Sequence, residues 1–103
     1  MFAFAGLWAS RTDPETGEVL VSCTIVTTTP NDLVAPVHDR MPVILPAELE
    51  AAWLDPSVPK EQALALLEPY PAALMTAAEA SRDVNSVKND FPGLLVPDGL
   101  LAA

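Results

Sequence analysis

The sequence is short of most of what carries chemistry. It has one cysteine in 103 residues, so it has neither an intrachain disulfide framework nor a multi-cysteine metal site. Its one histidine, beside that one cysteine, leaves a zinc site to be built from carboxylates throughout. The four glycines form no phosphate-cradling loop. No apolar run approaches the roughly 20 residues of a membrane-spanning helix. The first ten residues, MFAFAGLWAS, contain no basic residue and do not read as a secretory signal. Basic residues are scarce: five Lys and Arg stand against 14 Asp and Glu, a net charge of −9. A polyanion is repelled by such a surface on average. These absences predict a cytoplasmic protein of a reducing compartment, with no cofactor and no membrane partner.

Apolar residues are plentiful. Half of the chain is hydrophobic and the mean hydropathy is +0.30, which excludes wholesale disorder. The length is that of one small domain. The 11 prolines forbid long helices. Residues 2 to 9 alternate Phe2, Phe4, Gly6, Trp8 with Ala3, Ala5, Leu7, Ala9, the pattern of a strand buried on both faces. Asp13-Pro14 and Gly17 mark a hairpin turn. The run Val19 to Thr29 reads as the returning strand. Its odd positions are the more apolar, so Cys23 is expected to be buried and inert.

Asn31 or Asp32 can cap a single turn from Leu33 to Val37. Met41 to Leu45 is a short apolar strand. Pro46 suits the first position of a helix through Leu54, with Leu49, Trp53 and Leu54 on one face. A second helix is predicted from about Lys60 to Glu68, with Leu64, Leu66 and Leu67 as its stripe. Residues 83 to 90 are polar and can hold one helical turn. Leu94 to Pro97 reads as an edge strand, since Pro97 cannot donate to a ladder.

Candidate chemistry gathers around one point. His38 lies in the polar trio His38-Asp39-Arg40 between two apolar segments. It reads either as a solvated loop residue or as a general acid/base, because imidazole titrates near neutrality. Arg40 projects to the same side if the segment is extended, and a His and an Arg on one edge suit a phosphate. Thr27, Thr28 and Thr29 end the preceding strand. They read as β-formers or as hydroxyls beside His38. A small hydrolase using His38 with Thr27 or Thr28 is a rival reading.

Several blocks occur in an order that resembles a known family. They are Phe4-Ala5-Gly6-Leu7-Trp8, Thr24-Ile25-Val26-Thr27-Thr28 with Asn31, His38-Asp39-Arg40-Met41-Pro42-Val43-Ile44-Leu45, Trp53-Leu54-Asp55, Val84-Asn85 and Asn89-Asp90. Together they resemble the SRAP family, the SOS-response-associated peptidases that process abasic sites in DNA. The resemblance implies an α+β fold, a curved β-core with short flanking helices. It implies self-processing that exposes an N-terminal cysteine. That cysteine then forms a thiazolidine link to the ring-opened sugar of an abasic site in single-stranded DNA. By the same resemblance His38 and Thr27 are catalytic and Arg40 contacts DNA phosphate.

Two features depart from that pattern. Met1 is followed by Phe2 rather than cysteine, and Cys23 lies mid-strand. The family's domain is roughly twice this length. Residues 1–103 are therefore expected to be the C-terminal half of a SRAP domain. As such they would be an incomplete fold, inactive alone and inclined to self-associate through an exposed strand edge. The alternative is a non-catalytic acidic remnant or interaction module.

Overall fold

Three extended stretches meet at Ala5, Val26 and Val43. In the computed structural model the Ala5 amide donates to the Val43 carbonyl at 2.8 Å. The Val43 amide donates to the Val26 carbonyl and the Val26 amide to the Ala5 carbonyl, both at 2.9 Å. These three bonds close a ring. Each stretch changes partner as it passes through. The first begins as β1 (Ala3–Phe4), paired with β6 (Ile44–Leu45), and leaves as β2 (Gly6–Thr12), paired with β3 (Val19–Ile25). Beyond Val26 the second stretch becomes β4 (Thr27–Thr28) and pairs with β5 (Met41–Pro42). All these pairings are antiparallel.

The side chains suit the ring. Three backbones converge, and position 5 carries alanine, whose methyl needs little room. Val26 and Val43 are β-branched and favour extended backbone. Ala5 and Val43 are fully buried, Leu45 nearly so, and Val26, Trp53, Leu66 and Leu67 pack against them. The Trp53 indole N–H donates to the Gly6 carbonyl at 3.0 Å, fastening α1 (Glu50–Leu54) beside the ring. Glycine suits position 6: a Cβ there would meet the Thr24 carbonyl oxygen at 3.1 Å, a tight contact that the neighbouring backbone would have to relieve.

The structure describes residues 1–96 and the backbone of 99–100. They fall into two units, one ending at Tyr70 and one starting at Pro71. The first holds the ring, α1 and α2 (Lys60–Leu64). Within the second, β7 (Ala78–Glu79) pairs with β8 (Gly99–Leu100). The Ser81 hydroxyl there caps the Asp83 amide at 3.2 Å, opening a single 3-10 turn over Arg82–Asn85. The fold is α+β, of small strands and short helices, as expected.

Several expectations need correction. The stretch 2 to 9 is extended but breaks at Ala5 and is not buried on both faces. Every residue of β2 and of β3 is exposed, including Trp8 at 74% and Val21 at 69%. Cys23, opposite Trp8 in the register, is exposed too. A strand face is buried only when a second layer covers it, and the alternation of β3 described a face without showing what covers it. The hairpin turn is as expected: Asp13 and Glu18 close it, and Gly17 takes a φ of 74°.

Pro46 stands one position earlier than read, before a 3-10 turn (Ala47–Leu49) that leads into α1. Leu54 is exposed at 79% and leaves the predicted stripe. The second helix is shorter than read: α2 ends at Leu64, and Leu66 and Leu67 reach the core from the turn after it. The expected edge strand at Leu94 is instead part of a 3-10 turn, Pro92–Leu95, because Pro92 supplies helical φ at its start. Pro97, the other part of that expectation, lies outside the described residues.

Candidate functional site

Residues 29 to 40 connect β4 to β5, and the loop is built from its first polar residue onward. Asn31 is half-buried. Its Oδ1 accepts the Val34 amide at 3.0 Å, and its carbonyl accepts the Ala35 amide at 2.9 Å. This is the capped turn predicted over Leu33 to Val37. Leu33, 8% exposed, turns inward. The turn then hands on to the site, since the Val34 carbonyl accepts the amides of both Val37 (2.8 Å) and His38 (3.0 Å).

The three residues singled out from the sequence come together. Arg40 reaches back across the stem of the loop. Its Nη2 donates to the Thr27 carbonyl oxygen at 2.8 Å and to Thr27 Oγ1 at 3.1 Å. His38 Nδ1 lies 2.9 Å from the Arg40 carbonyl and 3.0 Å from the Arg40 amide. Those two bonds exclude each other. A protonated Nδ1 donates to the carbonyl, and an unprotonated one accepts from the amide. Either way Nδ1 is held at the Arg40 backbone. Nε2 makes no hydrogen bond among the described residues.

The site is open. The His38 side chain is 66% exposed and that of Asp39, 3.2 Å from Nδ1, is 92% exposed. Water screens that pair and leaves it little energetic weight. The Nη1 and Nε donors of Arg40 are likewise unspent among the described residues. An imidazole anchored by one nitrogen, next to a half-spent guanidinium, can exchange a proton beside a bound phosphate.

Thr27 and His38 share no hydrogen bond, so the described residues contain no Thr–His nucleophile–base pair. Thr28, whose backbone pairs with Met41 in the ladder, shares no hydrogen bond with His38 either. Among the described residues no group of three or more His, Cys, Asp or Glu could hold a metal ion. No helix among them is long and apolar enough to cross a membrane. What sequence reasoning missed is the reach of Asn31. Its Nδ2 donates to the Tyr70 carbonyl at 2.6 Å, and its amide donates to Met41 Sδ at 3.3 Å. The cap was legible from local sequence, but a bond across 39 residues has no local signal.

Residues 1–87 match the family described as SOS response associated peptidase. The chain belongs to the SRAP family. Its relatives include the abasic site processing protein YoqW of Bacillus subtilis, 48% identical over 96 residues. That match covers 92% of this chain and 42% of YoqW. The abasic site processing protein HMCES of Gallus gallus is 37% identical over 99 residues, covering 94% of this chain and 29% of HMCES. A crystal structure of a protein from Bacteroides thetaiotaomicron superposes with a TM-score of 0.79 at 32% identity. It is matched over 93% of this chain and 43% of its own. The SRAP chain thus spans less than half the length of these relatives.

Proposed function

We propose that this SRAP chain is the C-terminal half of a domain that processes abasic sites in single-stranded DNA in the cytoplasm. The observation that carries the reading is the Thr27–Arg40–His38 cluster, formed by the family's own sequence blocks on one loop and its stem. In this reading Arg40 holds a backbone phosphate through its unspent donors, and Thr27 fixes the guanidinium. His38 Nε2 moves the proton at the sugar C1′ hemiacetal as the ring opens to the aldehyde. An α-amine then condenses with that aldehyde and releases water. A thiol on the same residue adds to the imine carbon, its proton passing to nitrogen, and the thiazolidine closes.

No residue of the 103 carries both groups, since Phe2 follows Met1 and Cys23 is mid-strand. In this reading the reacting cysteine, and the self-processing that exposes it, are supplied from outside residues 1–103, and residues 1–103 alone form no stable adduct. The acidic surface here leaves most of the attraction for DNA to that remainder.

The test is crosslinking of abasic single-stranded DNA by a SRAP protein of full family length that contains residues 1–103. His38→Ala is expected to slow crosslink formation or reversal by about 10²- to 10⁴-fold, with affinity for undamaged strand little changed. Arg40→Ala is expected to weaken binding and reduce the salt slope by about one phosphate contact. Wild-type rates for His38→Ala would reduce the histidine to a structural loop residue and remove the mechanism.

A further inference from the structure

The bonds that place His38 and Arg40 form a chain through the loop, and its first link is at Asn31. Asn31 Oδ1 holds the Val34 amide, the Val34 carbonyl holds the His38 amide, His38 Nδ1 is held at the Arg40 backbone, and Arg40 Nη2 returns to Thr27. Upstream, Asn31 is fixed from two further sides. Nδ2 donates to the Tyr70 carbonyl at 2.6 Å, and the Asn31 amide donates to Sδ of Met41, itself 2% exposed. Asparagine suits this place because one short side chain carries an acceptor for the loop and a donor for the distant carbonyl. Aspartate offers no donor to Tyr70, and serine is too short to serve both.

We propose that Asn31 is the positioning residue of the His38–Arg40 site, registering the loop against the Tyr70 carbonyl so that the imidazole and the guanidinium face the same substrate. The proposal rests on the functional reading above for what the site does, but not for how it is held. Asn31 acts through Val34 and His38 and touches no substrate. The exposed site residues make few bonds of their own, so their precision is borrowed from this half-buried amide.

The experiment is nuclear magnetic resonance on the SRAP protein of full family length that contains residues 1–103. It follows the imidazole nitrogens of His38, the guanidinium resonances of Arg40, and amide exchange at Val34 and His38, with Ala5, Val26 and Val43 as internal references. Asn31→Ala is expected to speed exchange at Val34 and His38 by roughly tenfold and to move the His38 and Arg40 signals toward free-side-chain positions. The three reference amides should stay within a factor of about two. Asn31→Ser keeps a hydroxyl acceptor for the Val34 amide and should restore its protection to within roughly threefold of wild type. It should leave the Arg40 signals displaced, because the Tyr70 tie is still missing.

Unchanged His38 and Arg40 signals in Asn31→Ala would overturn the proposal. So would equal acceleration at the reference amides, which would make Asn31 a general stabiliser. A serine variant as unprotected as alanine would overturn the relay through Val34. None of these readouts requires DNA processing. Normal crosslinking by His38→Ala, which would end the functional reading, is a separate result.

Discussion

Two parts of one sheet system, joined at Gly6, live in opposite environments. On one side lies the ring where three backbones cross, with Ala5 and Val43 fully buried and Val26 partly so. On the other, β2 and β3 run out as a two-stranded ribbon with every residue exposed. Both are rich in the same residue types: valine in the ring, Val19, Leu20, Val21, Leu7 and Trp8 in the ribbon. Composition therefore does not decide burial here; the number of converging strands does. A residue where three stretches meet is covered from all sides, whereas a two-stranded ribbon leaves both its faces to whatever comes next.

The largest expected effect separates the two. Val43→Ala removes buried methyls from a fully enclosed position and should cost about 2–3 kcal/mol of stability. Val21→Ala, 69% exposed in the ribbon, should change stability by no more than about 0.5 kcal/mol. Denaturant melts of the two variants check this. Equal losses would mean that the ribbon is packed in solution and would dissolve the contrast.

That contrast also marks what the sequence could reveal. The hairpin turn, the capped loop at Asn31 and the short strand at Met41 follow from local chemistry, since a turn at Asp13-Pro14 and Gly17 and an Asx cap act over a few residues. The neighbourhood of Thr27, His38 and Arg40 was legible instead from the order of the family blocks along the chain. The exposure of Cys23 was not legible, because alternation along β3 names two faces without saying what lies over either. The ring was not legible either. Its three bonds join residues far apart in the chain, and Ala5, one of three alanines in residues 2 to 9, looks like any other strand position. The Asn31–Tyr70 bond failed to show for the same reason.

A second effect tests the ribbon from its own side. Trp8 and Cys23 face each other across it, with Ile25 opposite Gly6 next along. Exposed apolar strands pair with whatever strand or face they meet. In dilute solution Cys23 should label with a thiol reagent at a rate within about tenfold of the unfolded chain. Raising the protein concentration should slow labelling as ribbons pack together, and Trp8→Lys should abolish that concentration dependence. Sedimentation of the same samples gives the assembly size. Slow labelling that is independent of concentration would show a cover within the single chain.

A smaller effect lies at the boundary, where the Trp53 indole donates to the Gly6 carbonyl at 3.0 Å. Trp53→Phe keeps most of the ring contact and loses the N–H. A single exposed hydrogen bond of this kind is worth about 1 kcal/mol. Amide exchange should rise in β2 next to Gly6 while Ala5 keeps its protection. Loss of protection at Ala5 as well would mean that ring and ribbon unfold as one unit.

The smallest effect concerns the residue that ends the helix carrying Trp53. Asp55 Oδ1 accepts the Ser57 hydroxyl at 2.7 Å and the Ser57 amide at 2.9 Å. These bonds, the hydroxyl first, favour the charged carboxylate and hold its pKa below the ordinary aspartate value, with desolvation opposing weakly. Because the folded value is the lower one, the stabilisation is complete above the unfolded pKa and is lost as pH falls through the folded pKa. Ser57→Ala removes the hydroxyl bond and keeps the amide bond, so the Asp55 titration midpoint should move up part of the way toward the ordinary value. The measurement is the Asp55 carboxyl carbon shift in an acid titration of both proteins, with thermal melts at each pH. Asp55 is fully exposed, so added salt and water blunt the effect, and Trp53 should keep its bond to Gly6 throughout the titration. An Asp55 midpoint in Ser57→Ala identical to wild type would assign the depression to the amide alone. A change in Gly6 exchange with the Asp55 midpoint would tie the turn to the boundary between ring and ribbon.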